Sequence, residues 1–193
     1  MYLDYQSIID PTLTDTGLGQ CSFVCKDFPR HAKVSHILAS PLFRTIQTAY
    51  HSFKPAIERG VKIVAMPEVT ENAADGCNRG HAPGEIIAWA RSAFGNDVLD
   101  EQSFRVLSPD WFEKSGLYED KHSTLIQRAL VARRAIQTVA STAGDDAHIV
   151  VVSHSDFLGY LVSGGPGWGN AEWRSYTIGS DSDATLAPVN GPR

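Results

Sequence analysis

Two apolar runs of strand length each end abruptly in a residue suited to chemistry, and this narrows the fold more than any other feature of the chain. Val34-Ser35-His36-Ile37-Leu38 closes on Ser40-Pro41, then gives way to helical spacing at Leu42, Ile46, Tyr50, Phe53 and Ile57, perturbed by Pro55. His148-Ile149-Val150-Val151-Val152-Ser153 reads as a buried strand ending at His154, with a helix over Phe157 to Val162 behind it. Strands that alternate with helices in this way imply a layered α/β fold. The other segments agree. Thr14 can cap a helix running to Phe28, Lys62 to Ala65 reads as a second buried strand, and Ile86 to Phe94 and Ser123 to Ala143 read as helices. Glu68 to Pro83 is rich in Gly, Asn, Asp and His and is expected to be a long loop of the kind that carries function.

A chain of 193 residues fits a single domain, here residues 1–193, with the stretch from about 181 to 193 expected to fray because it is small, polar and Pro-containing. Its length suffices for a core without metal or disulfide staples. The net charge of -5 and the lack of a Lys/Arg cluster argue against a nucleic-acid partner, and Arg133-Arg134 reads as the wet face of a helix. Three cysteines, Cys21, Cys25 and Cys77, with no secretory leader evident, suggest reduced thiols and a cytoplasmic location. Neither metal-ligand spacing nor a membrane-length apolar run is present in the sequence, so no metal and no membrane partner is expected.

The chemistry gathers at the two strand ends. In open α/β sheets ligands bind outside the carboxyl ends of the strands, where helix N-termini offer unpaired N–H groups. Arg44 enters the first turn of a helix there, and its forked, permanent charge matches phosphate oxygens. His154 stands at the end of the other strand, followed by Ser155. On the residues alone this is a small anion site, or equally an arginine paired with a surface carboxylate and a histidine satisfied in the core.

Several stretches resemble one family. Asp10-Pro11-Thr12-Leu13-Thr14-Asp15-Thr16-Gly17 is similar to its D-P-x-L-T-x-x-G segment, and Ser40-Pro41-Leu42-Phe43-Arg44-Thr45-Ile46-Gln47-Thr48-Ala49 to its S-P-L-x-R-x-x-Q-T-A signature. Pro67-Glu68-Val69-Thr70-Glu71 resembles its P-E-L-Q-E stretch, and Val151-Val152-Ser153-His154 with Phe157-Leu158 its V-V-x-H-G-x-F-L segment. Gly167 to Tyr176 looks like a late segment of one branch. The family is the histidine phosphatase (phosphoglycerate mutase-like) superfamily. The resemblance implies a three-layer α/β/α sandwich with a mostly parallel central sheet. It also implies phosphoryl transfer or hydrolysis on a small phosphorylated or anionic metabolite, without metal or cofactor, and more in keeping with a phosphatase than a mutase. In that reaction one histidine forms a phosphohistidine, a second arginine and second histidine hold the phosphoryl oxygens, and a carboxylic acid protonates the leaving group. Carried over, Arg44 and His154 are the phosphate-holding pair, and Glu71, or Glu68 close by, is the acid.

Some positions depart from the pattern. The nucleophile belongs before the D-P-x-L-T-x-x-G segment, yet the nine residues ahead of Asp10 contain no histidine, no arginine and no strand-like run. Arg30-His31-Ala32 spells R-H-A but precedes a strand instead of ending one, so His31 is expected in a loop. Ser155-Asp156 replaces small glycines, and Asp156 would bring negative charge beside a phosphate. Cys77-Asn78-Arg79-Gly80 resembles a C-D-T-G stretch, in which Arg79 either restores a lost positive charge or is a solvated loop residue. Three readings follow: an ordinary phosphatase lacking its first segment here, a non-catalytic binding protein, or a non-phosphatase enzyme using His154 and Glu71 as acid and base. Loss of the first strand would leave a sheet edge to be filled by another segment or by a second chain, a homo-oligomer being one way to fill it.

Overall fold

The computed structural model describes residues 7–165 and 167–189. At its centre lies a parallel three-stranded sheet in the order β2-β1-β3, made of β1 (Val34–Ala39), β2 (Ile63–Ala65) and β3 (His148–Val152). Ile37, Leu38 and Ala39 pair with Ile63, Val64 and Ala65 on one side and with Val150, Val151 and Val152 on the other. Both strands that carry the candidate residues therefore end side by side.

The period-two alternation of strand side chains builds two cores. Ile37, Ala39, Val150 and Val152 face helices α1 (Asp15–Asp27), α2 (Phe43–Ser52), α3 (Lys54–Glu58), α4 (Pro83–Phe94) and α5 (Glu101–Arg105). Leu38, Val64, Ile149 and Val151 face α6 (His122–Thr142) and α7 (Ser155–Leu161). The result is the expected three-layer sandwich. Ile37, Ile46, Ile63 and Ile86 are completely buried, each worth roughly 1.5–3 kcal/mol against exposure.

Local signals account for most boundaries. The Thr14 hydroxyl accepts the Gly17 N–H at 3.2 Å and so starts α1. Pro55 splits the expected long helix in two, because it fits the first turn of α3 but not the interior of a continuous helix. Two expectations need correction. β3, the most apolar run, is buried only at Val152, since among the described residues it pairs with β1 alone and its outer edge is uncovered. Arg133 and Arg134 do more than face water: their Nε atoms donate to the carbonyls of Asp183 (3.0 Å) and Ser182 (2.8 Å). With Gln137, which donates to Gly179, they pin the stretch from 179 onward, where β5 (Leu186–Pro188) pairs antiparallel with β4 (Tyr176–Ile178). Part of the segment expected to fray is thereby tied to α6. The readings made for residues 1–6 and 190–193 lie outside the described residues. No helix among the described residues is long and apolar enough to cross a membrane.

Candidate active site

The D-P-x-L-T-x-x-G and S-P-L-x-R-x-x-Q-T-A segments dock on one another. Asp10 accepts the N–H of Phe43, the first residue of α2, at 2.9 Å, and Gln47 Oε1 accepts the Leu13 N–H at 2.7 Å. Asp10 thus satisfies one of the orphan donors at the start of α2 from 33 residues away. It is almost wholly buried, its Oδ2 has no hydrogen-bond partner among the described residues, and burial pushes its pKa up to about 7 against the pull of the Phe43 N–H and Arg44.

Arg44 follows in the first turn of α2. Its Nη1 donates to the Cys77 carbonyl at 2.5 Å and its Nη2 to Asn78 Oδ1 at 2.8 Å. The same Nη2 lies 3.1 Å from His154 Nδ1. Since a guanidinium only donates, Nδ1 is an acceptor, and the imidazole proton sits on Nε2, which faces Ser40 Oγ at 3.0 Å. Burial, followed by the charges of Arg44, Lys114 and Arg128, holds the His154 pKa well below the ordinary histidine value. Without an anion, then, His154 is neutral at physiological pH.

Glu71 lies on the loop after β2, half-buried. Its Oε1 accepts the Asn72 N–H at 2.9 Å. Burial raises its pKa above the usual carboxylate value, and Asp156 adds to the rise, while the Asn72 N–H, Arg44 and Lys114 oppose it. A carboxyl that holds its proton to higher pH is suited to protonating a leaving group. Glu68 sits half-buried in the short 3₁₀ turn Pro67–Val69.

Arg79 and Ser155, the other two residues expected to contact phosphate, each have contacts of their own. Arg79 is exposed, 3.9 Å from Glu113 and over the Phe112 ring, and its neighbour Asn78 is the residue that reaches Arg44. The Ser155 hydroxyl donates to the Trp168 carbonyl at 3.2 Å. His31, expected in a loop, instead opens the short 3₁₀ turn His31–Lys33 at the amino end of β1, hydrogen-bonded to the Cys25 carbonyl and packed edge-on against Phe28 and Phe53. Sequence reading missed Asn78, Lys114 and Arg128. Arg128 did leave a signal, since with Leu125, Ala129, Ala132 and Ile136 it falls on the apolar stripe of α6. Lys114 comes from the segment between α5 and α6, which has no period to read.

The loop presenting Asn78 is held by a close approach. A Cβ on Gly80 would overlap the Trp111 ring, whose Nε1 donates to the His81 carbonyl at 2.9 Å. Gly80→Ala is therefore expected to lower stability by roughly 1–3 kcal/mol, measurable by urea denaturation, as Trp111 is forced from its site.

Two motif segments are thus locked together beside a strand-end Arg–His pair. The family model of the histidine phosphatase superfamily (branch 1) matches residues 3–187. The chain belongs to the histidine phosphatase superfamily. No curated protein matches the sequence. Among solved structures, the mycobacterial glucosyl-3-phosphoglycerate phosphatase is similar with a TM-score of 0.56 at 16% identity, over 98% of this chain and 94% of that one. The ecdysone phosphate phosphatase of Bombix mori gives 0.55 at 21% identity, over 79% of this chain and 55% of that one. At such identities the likeness to each is one of fold. Within this superfamily chain, none of the other six histidines (His31, His36, His51, His81, His122 and His148) hydrogen-bonds to Arg44 among the described residues.

Proposed function

We propose that this protein binds the phosphoryl group of a small phosphomonoester between Arg44 and His154, with Glu71 placed to protonate the leaving oxygen. The observation that carries this reading is the Arg44–His154 contact at 3.1 Å, with Arg44 braced by Cys77 and Asn78. An arriving oxyanion supplies the acceptor that Arg44 now finds in the imidazole, and it offsets the positive charges that keep His154 neutral. His154 then takes up a proton and donates to the phosphoryl group as well. Glu71, whose burial favours the protonated form, is the group assigned to protonate the leaving oxygen.

Attack on phosphorus needs a further group. In the family that group is a histidine, and His154 is the one histidine hydrogen-bonded to Arg44 among the described residues. This observation favours a second reading, in which the chain in this form binds its ligand without turning it over. One experiment separates the two: hydrolysis of para-nitrophenyl phosphate and a small phosphomonoester panel by residues 1–193, beside Arg44→Ala and His154→Ala, with inorganic phosphate binding followed by calorimetry. Turnover lost in both variants supports the hydrolase. Phosphate binding lost in both variants, without turnover in wild type, supports the binding protein. Wild-type protein that neither binds phosphate nor hydrolyses any ester sinks both.

A further inference from the structure

Two cations missed in the sequence meet at the backbone around Glu71. Lys114 Nζ donates to the carbonyl of Glu71 itself at 2.7 Å. Arg128, completely buried in mid-α6, uses its Nη2 on both sides of that residue, donating to the Thr70 carbonyl at 3.1 Å and to Asn72 Oδ1 at 2.8 Å. Asn72 passes the restraint on, because its N–H is the donor to the Glu71 carboxylate. Stability alone is a poor reason for an arginine here. Among the described residues its Nε and Nη1 are buried without acceptors, a costly state that an apolar side chain on the same stripe would avoid. The guanidinium instead lies 4.3 Å from the centre of the Phe157 ring, which fixes it beneath the loop.

We propose that Lys114 and Arg128 form a two-point clamp that positions Glu71 and governs when its carboxyl releases a proton. The inference rests on the reading of Glu71 as the proton donor. Lys114 holds the residue by its own carbonyl and Arg128 holds its two neighbours, so the loop backbone that carries the carboxyl, and the Asn72 N–H that it accepts, cannot shift without breaking three hydrogen bonds. The charged groups acting on Glu71 are Asp156 from α7, Arg44 from α2 and Lys114, while Tyr118, Glu71, Asp120 and Glu68 act on Arg128, and Arg128, Glu71, Arg44 and Asp120 act on Lys114. Removing a clamp cation takes away positive charge and fixed geometry together, so Glu71 is expected to keep its proton to higher pH.

The test follows the Glu71 carboxyl by carbon NMR in glutamate-labelled protein without any anion, with the resonance assigned by its loss in Glu71→Gln. In Lys114→Met the Glu71 midpoint is expected to rise by about half a pH unit or more, and in Lys114→Arg to return toward wild type. Arg128→Met is expected to raise it too, with a melting temperature equal to or above wild type, whereas a purely structural arginine would lower the melting temperature and leave the midpoint alone. If Arg128→Met does not fold, Lys114→Met and Lys114→Arg decide. An unchanged midpoint in Lys114→Met overturns the clamp. Because no ligand is present, that result is separate from a failure of phosphate to bind wild-type protein, which would strike the functional reading and leave the clamp standing.

Discussion

Asp10→Asn is expected to gain stability over wild type as pH rises from 4 to 8, the difference between the two proteins growing by as much as about 4 kcal/mol. The sign follows from linkage. Folding raises the Asp10 pKa from 3.8 to about 7, so the folded protein holds a proton that the unfolded chain has released. Below pH 4 both states are protonated and Asp10 imposes no penalty. Between pH 4 and 7 wild-type stability falls, and above pH 7 the whole penalty is present. Asparagine keeps an oxygen for the Phe43 N–H and has no charge to bury, so its stability lacks this slope. Urea denaturation of both proteins across this range measures the effect. Parallel curves would mean that Asp10 is solvated enough to ionise normally, against its unpartnered, buried Oδ2.

Arg44→Ala is expected to weaken phosphate binding roughly 100-fold, since a forked, charge-assisted contact to an oxyanion is worth about 2–3 kcal/mol. The same change removes the nearest positive charge acting on His154, so the histidine is expected to titrate closer to its ordinary range. Calorimetry reads the first effect and a proton NMR titration the second. Arg79→Ala, by contrast, is expected to leave phosphate affinity within about twofold, because Arg79 is exposed and engaged with Glu113. A variant pair with the opposite ranking would move the anion site to the 79–81 loop.

The frame of this site was legible in the sequence because strand ends announce themselves. β1 and β3 are short apolar runs closed by Ser40-Pro41 and Ser153-His154, and the parallel register brings those closures together. Helix boundaries at Thr14 and Pro55 follow from capping and proline chemistry, which act within a few residues, whereas the helix read from Ile86 begins one turn earlier, at Pro83. What was not legible depends on partners far apart in the chain. Nothing local distinguishes Asn78 from Arg79, and the choice is made by Arg44, 34 positions from Asn78. Asp10 looked like one letter of a motif, yet its burial and its hold on α2 come from tertiary packing. The half-exposure of β3 likewise reflects which strand lies beside it, a matter that apolar composition cannot report. Arg128 was the readable exception, a charge standing on the apolar stripe of α6.

The most direct measurement of the anion site is a nitrogen NMR titration of His154 from pH 5 to 8, with and without inorganic phosphate. Without phosphate, the ring is expected to stay neutral, protonated at Nε2 with Nδ1 accepting from Arg44. With phosphate, both nitrogens are expected to shift, and the titration midpoint to move upward as the anion stabilises the imidazolium. His154 resonances that ignore phosphate up to about 10 mM would contradict an anion bound between Arg44 and His154.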